Sequence, residues 1–362
     1  MDDASHYAGA VEHYTSAARR DWVKRAWEEP AFRRHLDAAL RRARGLGLRR
    51  ELDVLDLGCG TGVALDLLLG TDAVARGEVR VARYTGLDLD PALLAVARER
   101  LDGPSGPPPG VGAVELVVGD LADPPPVGAH DLLLSSGVPL SHLPPADLGP
   151  ALTRLVAGAV APGRPALLVV DVLGRWSLEW TARWDRTRWP YRMSFFASDA
   201  DADAVEMTTW DGAELEATVR GAVAAAGRAV LDLARVDRSL TVGRHTSTGE
   251  YAPGLPRLRD LVDALVEPGA DVDPGALRIE VPLPAAPPGI LAAHRRLAEG
   301  WNAVLDETAA EAAAGTGPAA GPALAERLRA LEATLEPEGL GLGHSLTLLA
   351  LVGDATPTGG GA

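Results

Sequence analysis

The sequence predicts an α/β protein built on a mostly parallel, seven-stranded sheet. Three observations carry that reading. Apolar runs and amphipathic segments alternate strictly from about residue 51 to 240, as in a sheet whose strands are joined by crossover helices. Several strand candidates, such as the PALLVV run around residue 168, are apolar almost without interruption, as expected of strands covered on both faces. The string VLDLGCGTG from Val54 ends an apolar run in glycines at every second position, Gly58, Gly60 and Gly62, and then opens into a helical pattern at Val63. Glycine lets the chain turn sharply there and lets a ligand approach bare backbone.

The elements follow in order. Residues 5 to 46 read as two helices of an N-terminal unit (1–50), with Trp22, Val23, Ala26 and Trp27 at helical spacing and Pro30 breaking the pattern. Leu52 to Leu57 is the first strand and Val79 to Leu89 the second. Pro91 then opens a helix. Val114 to Val118, Leu132 to Ser135 and Ala166 to Val172 are the next strands, with a helix from Ala146 to Val160 between the last two. A long connection, 173–212, precedes the helix Glu214 to Ala226 and a sixth strand from Ala229. The apolar run after His344 supplies the seventh. The core is therefore 51–242 with a final strand in 341–354. Residues 243–340 read as a mainly helical insertion between strands six and seven, and 355–362 as a disordered tail. Both extra segments leave the sheet at the carboxyl ends of strands, where ligands of such folds bind, and should cover the site.

Composition narrows the function. The 362 residues carry a net charge of −15, which repels nucleic-acid backbones. One lysine, Lys24, stands among 35 basic residues, so lysine-dependent Schiff-base and P-loop chemistry find no residue in a motif. The lone cysteine, Cys59, excludes an internal disulfide and fits a cytoplasmic location. No apolar run is long enough for a membrane span, the first residues lack signal-peptide order, and no cluster has zinc-ligand spacing, so neither membrane nor metal is expected.

The glycine spacing departs from the G-x-G-x-x-G dinucleotide fingerprint. Together with Asp56, it resembles motif I of class I S-adenosylmethionine-dependent methyltransferases, a bacterial small-molecule type by composition. The resemblance covers residues 1 to about 240 and the last strand, and it implies a Rossmann-like fold. It implies S-adenosylmethionine as cofactor, with S-adenosylhomocysteine as product, held by Gly58, Cys59 and Gly60. Asp88, closing strand two, matches the family's ribose acid. Asp120 matches the acid beside the adenine, with Leu89 and Leu121 flanking the ring. Asp56 would orient the loop and the methionine ammonium, directly or through water. Ser136 lies in the fourth-strand motif, which lacks the [DN]-P-P-[YFW] string of enzymes that methylate nucleic-acid bases. Tyr14 resembles the aromatic that folds over the methionine portion. Each has a plainer alternative: a packed thiol for Cys59, a turn for Asp120, core packing for Tyr14.

For the acceptor side, His142 and His245 are candidate bases, against a surface residue and a polar hinge. Half of the aromatic residues fall within 176–210, and Trp176, Trp180 and Trp184 sit at helical spacing. Trp180 and Trp184 are candidate pocket walls, or a stripe docked on the core. In GRHTSTGEY, Arg244 could clamp a carboxylate and Tyr251 line a pocket. The expected function is methyl transfer to an O, N or C nucleophile of a small molecule in secondary metabolism. The alternatives are cofactor-dependent cyclisation or decarboxylation, a protein or peptide substrate, and a non-catalytic binding module. A homodimer is compatible with the sequence.

Overall fold

A computed structural model describes residues 20–103, 106–192, 204–317 and 320–354. Five parallel strands form its centre: β1 (Glu51–Leu57), β2 (Arg80–Asp88), β3 (Val111–Val118), β4 (Leu132–Ser135) and β5 (Ala166–Gly174). They lie in the order β3-β2-β1-β4-β5. The last strand, β9 (Ser345–Gly353), runs antiparallel between β5 and β8 (Ala229–Arg238). The chain builds outward in one direction from β1 and in the other from β4. The crevice beyond their carboxyl ends is the topological switch point.

Two apolar layers sandwich the sheet. On one face, α1 (Glu29–Gly45) and α2 (Val63–Leu69) pack Phe32, Leu36, Leu65 and Leu68 against Val54, Tyr84 and Leu134. On the other, α5 (Pro145–Ala159) and α6 (Gly212–Ala225) pack Leu152, Val156, Leu215 and Val219 against Leu133, Leu168 and Leu348. The short α3 (Asp72–Ala75) leads into β2, and α4 (Pro91–Leu101) follows it. Asp90 caps α4 by accepting from the Ala92 amide at 2.7 Å, with Pro91 in the first turn.

A third core lies at one end of the sheet. There α7 (Leu258–Val266), α8 (Pro288–Ala313) and α9 (Pro322–Leu335) bury Leu258, Leu297, Trp301 and Leu328 against Trp27, Trp176 and Trp180. Glu332 of α9 fastens this layer: it accepts from the Trp27 indole at 2.8 Å and from the Thr241 amide at 2.9 Å. No helix among the described residues is long and apolar enough to cross a membrane.

Three local expectations change. Pro30 does not interrupt the first helix. A π-helical segment, Val23–Glu28, runs straight into α1. The wider π register removes the clash that a proline ring makes with the carbonyl four residues before it. The tryptophans at 176, 180 and 184 do not form one helical stripe. The segment Leu178–Arg183 is a 3₁₀ turn kinked at Trp180 (φ −140°, ψ 46°). Each indole is pinned separately: Trp176 to Asp211 Oδ2 at 2.8 Å, Trp180 to the Gly174 carbonyl at 3.0 Å, and Trp184 to the Ser177 carbonyl at 2.9 Å. The same connection also carries two strands not expected there. β6 (Arg188–Tyr191) and β7 (Val205–Trp210) pair antiparallel, and β7 meets the end of β5 at Leu173 and Gly174. The proposed N-terminal helix before residue 20, the aromatics Phe195 and Phe196, and the tail 355–362 lie outside the described residues.

Candidate functional site

The glycine loop leaves β1 at the switch point. Gly58, Gly60 and Gly62 have φ of 70°, 53° and 81°, a region that L side chains rarely adopt. The amides of Gly58 and Cys59 both donate to the Leu87 carbonyl, at 2.8 and 3.0 Å, which binds the loop to the end of β2. A Cβ on Gly58 would overlap Pro139, and Leu121 Cδ1 lies 3.5 Å away, so this glycine is a floor between two apolar side chains. At Gly60 a Cβ would meet nothing within 4 Å. The space over Gly60 is open, as a ligand cradle requires.

Asp88 governs this cradle. Its Oδ2 accepts from the Gly60 amide at 2.7 Å and its Oδ1 from the Asp90 amide at 2.9 Å. Burial pushes its carboxyl up, and the backbone amides oppose that shift. Each oxygen keeps a lone pair for a further donor. Beside it, Leu89 leaves 42% of its surface exposed, a large apolar side chain facing water next to the carboxylate. Asp120 is exposed, and its Oδ1 accepts from the Ala122 amide at 2.8 Å. Leu121 and Ser136 are half-buried. Open backbone, a half-used carboxylate and exposed apolar surface suit an adenosyl group.

Cys59 and Asp56 sit behind the cradle. The Cys59 thiol lies over Gly86, and burial raises its pKa, so it packs as a neutral side chain. Asp56 is buried and does not reach the crevice surface. Its Oδ2 accepts from the Tyr84 hydroxyl at 2.6 Å, its Oδ1 has no partner, and burial pushes its pKa up to about 7. Tyr14 lies outside the described residues.

The acceptor side lies beyond β4 and β5. After β4 the chain turns through Gly137 and Val138, both at positive φ, into a 3₁₀ turn, Pro139–His142. Asp171 of β5 holds that turn by accepting from the Gly137 amide at 2.9 Å. The His142 carbonyl accepts from Arg188 of β6 at 3.1 Å, which ties the turn to the β6–β7 ribbon.

Trp180, Trp184, Tyr251 and His245 join Trp189 and Tyr191 in one aromatic cluster. Ring centres lie 4.7 Å apart for Tyr191 and His245, and 4.9 Å for both Trp189–Tyr251 and His245–Tyr251. Trp184 stacks on His294 at 5.1 Å. Trp180 and Trp184 are buried, so they are not the open pocket wall expected of them; their indoles serve backbone carbonyls instead. His245 is sealed too. Burial lowers its pKa to about 4, which keeps the ring neutral, and encloses it, so it does not fit the expected role of a base reaching an acceptor in the open. Arg244 sits half-buried, with Nη1 3.8 Å from Asp21, so it faces the N-terminal segment.

Yet this cluster holds an unusual set of unpaired buried atoms: Trp189 Nε1, Arg192 Nε and both ring nitrogens of His245. Natural cores pair nearly all such groups. Two residues that the sequence did not single out adjoin it. Glu179 accepts from the His245 amide at 2.5 Å and from His344 Nδ1 at 2.7 Å.

Substituting Gly60→Ala separates fold from binding. The strained φ should cost about 1–2 kcal/mol of stability. The methyl group fills the open cradle, so affinity for S-adenosylhomocysteine should fall at least roughly tenfold, about 1.4 kcal/mol. Thermal unfolding and calorimetry read the two effects, and unchanged affinity would refute the cradle.

Residues 54–163 match the model of a methyltransferase domain family. No curated protein matches the chain. Among solved structures, the chain is similar to an S-adenosylmethionine-dependent methyltransferase from Clostridium acetobutylicum, with 14% identity, 64% of this chain and 90% of that one covered, and a TM-score of 0.42. It is also similar to an amino pentose methyltransferase from Micromonospora echinaspora, solved with S-adenosylmethionine bound and involved in calicheamicin biosynthesis. That match has 23% identity, 64% and 90% coverage and a TM-score of 0.34.

Proposed function

Residues 54–163 match a methyltransferase domain family, and we propose that this chain is an S-adenosylmethionine-dependent enzyme of class I that methylates an O, N or C nucleophile of a small, ring-bearing molecule of bacterial secondary metabolism. One observation carries the substrate class. Trp189 Nε1, Arg192 Nε and both His245 ring nitrogens lie unpaired around Tyr251, against the β6–β7 ribbon that pairs with the carboxyl end of β5 through β7. Burying such atoms unpaired costs roughly 1–3 kcal/mol each. The rings are closed over one another, so a planar acceptor carrying oxygens would have to part them; it would then stack among them and accept from the indole, guanidinium and imidazole N–H groups. The net charge of −15 disfavours a polyanionic substrate. The single, buried Cys59 fits a reducing cytoplasm.

Bound S-adenosylmethionine supplies a methyl group activated by a sulfonium. The chain supplies position. Asp88 would take the ribose hydroxyls, Asp120 the adenine amine, and Leu89 and Leu121 the faces of the ring. Gly58 and Gly60 let the backbone approach, and Ser136 borders the site from β4. Holding donor and acceptor in line can supply roughly 7–11 kcal/mol.

The test has two parts. Calorimetry should show binding of S-adenosylmethionine. Incubation with the methyl-labelled cofactor and a panel of phenols, aromatic acids and amines should then yield a product heavier by one methylene. A protein that binds no cofactor refutes the first part. Label found only in macromolecules refutes the second.

A further inference from the structure

Each strand-end element around the acceptor side contributes a titratable group, and one pair stands out by its arrangement. β9 runs antiparallel to β5, so its first residue, Ser345, pairs with Leu173 at the carboxyl edge of the parallel strands. His344 precedes it and is brought to the same edge as the glycine loop. With strands roughly 4.8 Å apart, β9 lies three spacings, or about 14 Å, from β1 on the side of β4 and β5. The His344 backbone is fixed at both ends. Its amide donates to the Ser239 carbonyl at 3.0 Å, and its carbonyl accepts from the Gly174 amide at 3.3 Å. The ring rests on Trp180 with centres 5.6 Å apart.

Glu179 sets the ring's chemistry. Its carboxylate is fully buried, and the fold leaves room for it. A Cβ on Gly243 would overlap both of its oxygens and its carbon, so only glycine fits there. Burial opposes its ionisation, but His344 and the His245 amide beside it hold its carboxyl below the usual range. An ionised carboxylate can only accept. The 2.7 Å bond therefore fixes a proton on Nδ1, so that the lone pair of the neutral ring falls on Nε2. Nε2 has no hydrogen-bond partner among the described residues, and the side chain keeps 14% of its surface exposed. His245 is sealed in the aromatic cluster, with 1% of its surface exposed. His344, by contrast, joins a ring oriented by Glu179 to a side chain that reaches the surface.

We propose that His344, positioned by Glu179, is the catalytic base that takes the proton of an O–H or N–H acceptor. This rests on the methyltransferase reading above. The acceptor's proton passes to Nε2. The electron pair left on oxygen or nitrogen forms the bond to the methyl carbon, and the electrons of the broken carbon–sulfur bond stay on sulfur. The imidazolium is held beside Glu179 until it returns its proton to water. Glu179 is a positioning residue, and the acceptor class is one with an ionisable hydrogen, such as a phenol, an acid or an amine.

The test needs no substrate. In protein saturated with S-adenosylhomocysteine, nitrogen-15 NMR of the histidine rings should show His344 as the Nδ1–H tautomer. Diethyl pyrocarbonate, which acylates unprotonated exposed imidazole nitrogens, should modify His344 and spare His245 and His294 by peptide mass mapping. In Glu179→Gln the side-chain amide can donate to Nδ1, which moves the proton to Nε2. The tautomer should then invert and acylation should slow by roughly tenfold or more. An Nε2–H tautomer in the unaltered protein, or a His344 as protected as His245, overturns the inference even if Glu179→Gln does not fold. Calorimetric failure to bind S-adenosylhomocysteine would instead strike the methyltransferase reading beneath it.

Discussion

Replacing Asp88 with alanine should weaken S-adenosylhomocysteine binding by about two to four powers of ten. The carboxylate ends β2 with its two oxygens aimed by different amides, Gly60 at 2.7 Å and Asp90 at 2.9 Å. Those bonds lock the group and hold the glycine loop to it. Two ribose hydroxyls donating to a carboxylate contribute roughly 1.5–3 kcal/mol each, so the pair amounts to about 3–6 kcal/mol. The loss of fold stability should be far smaller, near 1 kcal/mol, because the freed Gly60 amide borders open space and water can replace the carboxylate. Asp88→Asn keeps one accepting oxygen and should fall between the two. Calorimetry with an independent denaturant curve separates binding from folding. Binding by Asp88→Ala within threefold of the unaltered protein would refute the role of Asp88.

Local chemistry made much of this legible in advance. Positive φ at alternate residues needs glycine, so the loop announces itself in the letters GCGTG. Asp88 and Asp90 lie two residues apart, yet their roles separate cleanly because Pro91 marks the first helical turn and makes Asp90 its cap. Periodicity failed where tertiary bonds outrank it. Trp176, Trp180 and Trp184 have helical spacing, but Ser177 caps a tight turn by accepting from the Glu179 amide at 3.3 Å, and each indole then bonds a different partner. Glu179 and His344 stand 165 residues apart in the chain, and no local pattern joins them. One signal was available. A final strand that runs antiparallel brings its first residues, not its last, to the carboxyl edge of the parallel strands, and that is where His344 stands. His245 illustrates the reverse error: a dense polar string, GRHTSTGEY, suggested exposure, yet Tyr191 and Tyr251 enclose its histidine.

Asp171→Ala should destabilise the fold by about 3–5 kcal/mol, the usual cost of leaving a buried charge without its partner. Asp171 is wholly buried in β5. Its Oδ1 accepts from Arg238 Nη2 of β8 and from Thr347 Oγ1 of β9, both at 2.7 Å. Arg238 is itself nearly buried and lies over the Phe32 ring of α1 at 4.7 Å. Against a total stability of roughly 5–15 kcal/mol, this loss is large. The other oxygen gives the residue a second role. Through the Gly137 amide, Oδ2 holds the turn that keeps Val138 at φ 62°, a conformation costing about 1–2 kcal/mol for a non-glycine residue. That turn delivers Pro139 onto Gly58, the floor of the cradle. The two roles can be separated by removing both charges. Asp171→Leu with Arg238→Met leaves no unpaired ion, so most of the stability should return. The turn remains unanchored, so affinity for S-adenosylhomocysteine should stay low. Denaturant unfolding and calorimetry on both variants decide the matter. If the double variant recovers binding along with stability, Asp171 only balances a buried charge, and the position of the Gly137–Pro139 turn does not depend on it.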